Sequence, residues 1–144
     1  MRDAANSELD ATEVARGYLR CSAELSRHNQ DPGAAWNSET DPDQRAFEIV
    51  ERAIRGGPAL RAWQLVVAIL AQETDDRLAF QAAGPLEDLV RLRGTEVVEL
   101  VEAEAASNER FKWALGKIWV FAKDLPADVV RRVVAASGNA IRPS

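Results

Sequence analysis

Glycine and proline cut this chain into short apolar segments, and that punctuation constrains its fold more than any other feature. Residues 60–70 read LRAWQLVVAIL, residues 77–94 read RLAFQAAGPLEDLVRLRG, and residues 95–121 read TEVVELVEAEAASNERFKWALGKIWVF. Gly56, Gly84 and Gly94 fall where a helical pattern stops. Pro58 and Pro85 fall where one can start. Glycine suits the residue after a helix, and proline suits the first helical position, where its missing N–H has no intrahelical use.

The apolar spacing inside the segments is helical throughout. The first helix starts after Asp10, with Glu13 three residues on, the spacing of a capping box. Val14, Tyr18, Cys21 and Leu25 form one narrow apolar stripe on it, so it docks by a single face, with Arg16, Arg20 and Arg27 turned away. Residues 28–40, HNQDPGAAWNSET, read as a polar linker whose Trp36 is better explained as an anchor tucked into the body than as a ligand contact. The second helix has Asp41 as cap, Pro42 at its first position and Gln44 at the third, and ends at Gly56-Gly57. The third, from Pro58 to Gln72, is apolar on most sides and is expected to be the central element. Two short helices follow, Thr74 to Gly84 and Pro85 to Gly94. Thr95 caps a sixth, Ser107 a seventh reaching Phe121, and Pro126 opens an eighth that stops at Gly138. No segment alternates strongly enough to argue for a sheet.

The expected fold is therefore all-α: a compact array of about eight short helices in antiparallel pairs, irregular and HEAT-like or solenoid-like, packed around the third. As a domain plan, 1–144 is one helical domain, with the first helix and linker in 1–40, the helical core in 41–138 and a frayed tail in 139–144.

Composition then removes function classes. The net charge of -5 opposes non-specific binding to nucleic acid, which depends on neutralising phosphates. A single cysteine allows no intramolecular disulfide. The N-terminus has no apolar run of signal-peptide length, and the longest apolar stretch, Leu65 to Ala71, is far short of the roughly 20 residues that span a bilayer. The expected setting is the cytoplasm, with no membrane association.

Catalytic sets are poorly represented. The only histidine, His28, lies in the linker, and Cys21 lies on an apolar stripe, where a cysteine is ordinarily inert core. No zinc motif, calcium loop or glycine-rich phosphate loop is present. No cofactor or metal is expected. Glu73, Asp75, Asp76, Glu87 and Asp88 stand near the Gly84-Pro85 turn, but acids at helix starts serve the helix dipole first.

Two features remain as candidate surfaces. In the sixth helix Glu96, Glu99 and Glu102 share the wet face, whereas Glu104 projects near Val97 and Leu100 at the edge of the apolar face. A carboxylate there needs a partner, and Arg77, Arg91, Arg93 or Lys117 could supply one; a helix-tying ion pair is the simpler role and an acid in a pocket the sharper one. In the seventh helix Phe111, Leu115, Ile118 and Ala122 make one face while Trp113 and Val120 point nearly opposite. Either that helix is sandwiched between neighbours, the commoner arrangement, or Trp113 and Val120 form an exposed patch suited to a partner.

The segment from Trp63 to Trp119 resembles an uncharacterised bacterial domain family of small helical proteins. Its order WQLVVAIL (63–70), AAGPLEDLV (82–90), VEAEA (101–105) and RF-x3-LG-x-IWV (110–120) carries the resemblance, GPLEDL being the most distinctive element. The resemblance brings no activity with it. If its pattern marks a shared site, Glu87, Asp88, Glu104 and Trp119 are the polar and aromatic members.

The sequence thus points to a small soluble bacterial interaction protein rather than an enzyme: an adaptor, antitoxin or immunity-type binder whose acidic surface suits a basic protein partner. Homo-oligomerisation is compatible with the same surfaces. The alternative is a carboxylate-based enzyme, or a ligand- or divalent-metal-binding protein, with its site near the Gly84-Pro85 turn.

Overall fold

A computed structural model of the chain describes residues 11–24, 43–72, 79–118, 123 and 125–138. These form six α-helices: α1 (11–24), α2 (Gln44–Gly56), α3 (Ala59–Gln72), α4 (Ala79–Ser107), α5 (Glu109–Leu115) and α6 (Ala127–Ser137). No strand occurs among the described residues. Several expected markers lie outside them, including Asp10, Leu25, His28, Trp36, Asp41, Pro42, Thr74, Trp119 and Val120.

Among the described residues the all-helical expectation holds with six helices, not about eight: the expected break at Gly84-Pro85 is absent, and the one expected at Gly94 is a kink at Arg93 within one element. α4 runs 29 residues, straight through Gly84 and Pro85, and kinks at Arg93, beside the boundary expected at Gly94 and Thr95. A proline in a helix interior costs about 3 kcal/mol. Here the buried series Ala83, Leu86, Leu89 and Val90 lies on one face beside the buried Pro85, and core packing outweighs that local cost. The only break is at Arg93, where the backbone leaves helical geometry (φ -138°, ψ 28°).

That kink changes which helix is central. α4 touches α2, α3, α5 and α6, whereas α3 touches α2, α4 and α5. α3 buries Ala62, Trp63, Leu65, Val66, Ile69 and Leu70 but leaves Leu60 exposed, so it is a wall of the core and not its centre. The longer α4 has two segments at different angles, each offering its own buried stripe: Leu86, Leu89 and Val90 before the kink, Val97, Val98, Val101 and Ala105 after it.

Gly94 illustrates the same point. It sits beside the break, as a stop signal would, yet its φ is not positive; among the described residues only Gly138 has that property, at the end of α6. A β-carbon at position 94 would lie 2.9 Å from Leu125 Cδ2 and 3.1 Å from Val129 Cγ1. The glycine lets α6 approach α4.

α1 docks on α2 by the stripe read from the sequence. Val14, Tyr18 and Cys21 are buried, with Ala15 beside them. Tyr18 stacks on Phe47 with ring centroids 5.2 Å apart. At the crossing, a β-carbon on Gly17 would come within 2.8 Å of Ala46 Cβ, so the backbones touch only because residue 17 is glycine.

Tyr18 makes this interface testable. It is the only tyrosine of the chain. Burial pushes its hydroxyl from the ordinary 10.0 up to about 12, reinforced by the carboxylates of Glu51 and Asp88 and opposed by a hydrogen bond with Ser22. Between pH 10 and 12 the unfolded chain releases this proton before the folded one does. Stability should therefore hold level on this account up to pH 10 and fall from there toward about 12. Tyrosinate absorbance should inflect near pH 12 in native protein and near 10 in urea; a native inflection at 10 would show that α1 does not bury this ring.

Candidate interaction face around Trp113

α5 is short, and its placement comes from one apolar side. Phe111, Ala114 and Leu115 are buried, and Phe111 meets Trp63 of α3 edge to face, centroids 5.4 Å apart. Burying a side chain of this size contributes about 1.5–3 kcal/mol. Helical spacing then turns the intervening Lys112 and Trp113 outward.

The start of α5 is held by a short relay. The N-cap is Asn108, one residue later than the Ser107 expected from sequence. The Asn108 side-chain oxygen accepts from the Phe111 N–H at 3.1 Å, and its Nδ2 donates to Glu104 Oε2 at 2.9 Å. Glu104, at the edge of the apolar face as expected, therefore finds its partner in the capping amide and not in an arginine or lysine. Its carboxylate orients the group that caps α5. Ser107 Oγ instead donates to the Ala103 carbonyl at 3.2 Å.

The end of α5 is also earlier than expected. The helix stops at Leu115, not Phe121, and Gly116 N donates to the carbonyls of Lys112 and Trp113 at 3.1 Å each. Ile118 is still buried, but from the turn that follows. That turn brings the Lys117 ammonium over the Trp113 ring, 5.0 Å from its centroid. An ammonium over an indole face is attracted by the ring quadrupole. Trp113 is 40% exposed. The commoner arrangement, a sandwiched helix, does not describe it.

The ring lines one cleft, and a second cleft shares Glu109 and Lys112 with it. One, of about 330 Å³, is bounded by Trp113, Gly116, Lys117 and Ser137. The other, of about 370 Å³, lies between the end of α4 and α6, floored by Ala105, Ala106, Ala135 and Ala136. Its far side is closed by Glu102 and Arg132, joined by two hydrogen bonds of 3.0 and 2.5 Å. That hydrogen bonding holds the Glu102 carboxyl below its usual range and raises Arg132.

The acidic stripe expected on Glu96, Glu99 and Glu102 is thus largely spoken for. Glu96 pairs with Arg93 at 2.6 Å, Glu102 pairs with Arg132, and Glu99 is exposed and close enough to Arg132 to raise it as well. Of these, only Glu102 lines either cleft, the one between α4 and α6.

The other candidate set is not assembled. Glu87 and Asp88 lie on the first segment of α4, and Asp88 pairs with Arg91 at 2.9 Å. Glu104 lies near the opposite end of the same helix, beyond the kink, and Trp119 is outside the described residues. The Gly84-Pro85 turn on which that site depended is a stretch of helix. Among the described residues no three His, Cys, Asp or Glu side chains are grouped to hold a metal ion. No helix there is long and apolar enough to cross a membrane.

Sequence reasoning passed over Lys112, Glu109 and Asn108. The Trp113–Lys117 pair was within its reach, because residues four apart share a helix face, and one turn past a helix end keeps nearly that geometry.

The described residues are all-helical and present a tryptophan, 40% exposed, beside Lys117. The chain belongs to a family of unknown function, DUF6869, whose pattern matches residues 35–141, well over half its length. The resemblance seen in the Trp63–Trp119 motifs is to a family of this kind. No curated protein and no solved structure matches the chain.

Proposed function

We propose that this protein is a protein-interaction module, an adaptor, antitoxin or immunity-type binder working in a bacterial cytoplasm, and that it docks its partner on the face around Trp113. One observation carries the reading: Trp113 stands 40% exposed under Lys117 and lines a cleft of about 330 Å³. Tryptophan is enriched among residues that dominate interface energies, and it does so when a partner completes its burial. The net charge of -5 favours a basic partner during approach. At contact range Lys112 and Lys117 suit an apolar anchor flanked by a carboxylate.

The test uses a photo-reactive amino acid placed at position 113 of tagged protein, in lysate of the source organism at low salt. One defined protein should cross-link there and not from exposed Arg131 on α6. The same protein should be lost from Trp113→Ala pull-downs while helicity stays unchanged. Identical protein sets captured by wild type and Trp113→Ala would overturn the reading.

A further inference from the structure

A third crevice, on a different part of the molecule, has an unexpected charge pattern. It lies between α1 and α2 and measures about 450 Å³. Val14, Ala46 and Ile49 supply apolar lining, and Gly17 is part of the wall. Three arginines line it: Arg16 and Arg20 from α1, Arg45 from the first turn of α2. Two acids join them, Glu13 and Asp43.

The arginines are not equivalent. Arg20 is gripped by Asp43, Nε to Oδ2 at 2.9 Å and Nη2 to Oδ1 at 3.0 Å. Asp43 is thereby drawn away from the usual task of a residue at its position, and its side chain makes no capping bond to α2. Among the described residues Arg16 donates from Nε toward Gln72 Oε1 at 3.4 Å. Among the described residues neither Arg16 nor Arg45 has a carboxylate within ion-pairing distance, although acids outnumber bases in the chain by 23 to 18. Two guanidinium groups without carboxylate partners therefore border one partly apolar crevice, and a guanidinium presents a planar fork of donors that matches two oxygens of a carboxylate or phosphate. The volume is within the range of small-ligand sites.

We propose that this crevice binds an oxyanion, phosphate or carboxylate, carried on a short apolar body, with Arg16 and Arg45 holding the anion and Val14, Ala46 and Ile49 receiving the body. Asp43 is a positioning residue that fixes Arg20 at the rim. Glu13 opposes the ligand's charge and limits affinity. This site is independent of the Trp113 face.

The experiment follows the arginine Nε–Hε signals of ¹⁵N-labelled protein during titration with butyl phosphate, with butyrate, and with sodium chloride at matched ionic strength. Saturable shifts of Arg16 and Arg45, absent at Arg131, are expected with at least one organic anion. Tighter binding of butyl phosphate assigns the site to phosphates, and tighter binding of butyrate assigns it to carboxylates. Arg16→Gln and Arg45→Gln should each weaken binding about tenfold, the scale of one charge-assisted hydrogen bond, with helicity unchanged. Glu13→Gln should tighten it. Shifts that do not saturate, that match those of Arg131, or that sodium chloride reproduces would overturn the proposal.

Discussion

Arg93→Ala is expected to destabilise the protein by about 2–3 kcal/mol, the scale of losing part-buried hydrogen bonds from a charged donor. The Arg93 side chain is 16% exposed and spans two helices. Its Nη1 donates to the carbonyls of Gly57 and, at 3.4 Å, Ala53, while Nη2 pairs with Glu96 at 2.6 Å. The last carbonyls of a helix have no intrahelical donor. Gly57 N satisfies part of that need by donating to Ala53 at 3.2 Å, and Arg93 serves the rest from across the interface. The arginine therefore caps α2 from the point where α4 breaks. Arg93→Lys should recover less than half of the loss, because one ammonium cannot reproduce the fork that reaches both carbonyls and Glu96. Urea denaturation gives the measurement. A midpoint for Arg93→Ala indistinguishable from wild type, at unchanged slope, would mean that the clamp contributes nothing.

Gly94→Val should cost about 3 kcal/mol. Leu125 Cδ2 and Val129 Cγ1 already occupy the space within 2.9 and 3.1 Å of where the first added carbon would sit. Overfilling a packed contact typically costs about 1–3 kcal/mol, and a branched side chain lies at the upper end of that range. Gly94→Ala separates the two roles of this residue. Were Gly94 only a helix stop, alanine at this non-positive φ would raise helix propensity by about 1 kcal/mol and stabilise the protein. Because α6 packs against it, alanine should instead destabilise, by less than valine does. A stabilised Gly94→Ala in thermal unfolding would refute the close-packing role.

The comparison of expectation with structure turns on a few residues. Gly56-Gly57, Pro126 and Gly138 mark helix ends where chain stiffness and missing N–H groups act locally, and the structure ends its helices there. Val14, Tyr18 and Cys21 could be read as a docking stripe because a 3.6-residue period needs no knowledge of the partner. Gly84-Pro85 carries the same local signal as those ends, yet the helix runs through it, since the buried neighbours of Pro85 gain more from continuing than the proline loses. The functional surfaces were harder still to read. Trp113 could be singled out but not placed inside or outside, because both faces of its segment are apolar. Arg16 and Arg45 lie 29 positions apart, and nothing in local spacing says that they share a crevice.

The amino-acid sequence by itself determined that the chain is helical, where α2 and α6 stop, and which stripes seek burial, because those properties follow from backbone sterics and side-chain period over a few residues. Only the tertiary structure decided that α4 and not α3 is the hub, that Gly94 beside the kink is also a contact point, that Arg93 clamps a neighbouring helix, and that Trp113 faces outward. Each of these depends on which distant side chain arrives at a position, and the energy of a packed contact between helices exceeds the local preference that the sequence displays.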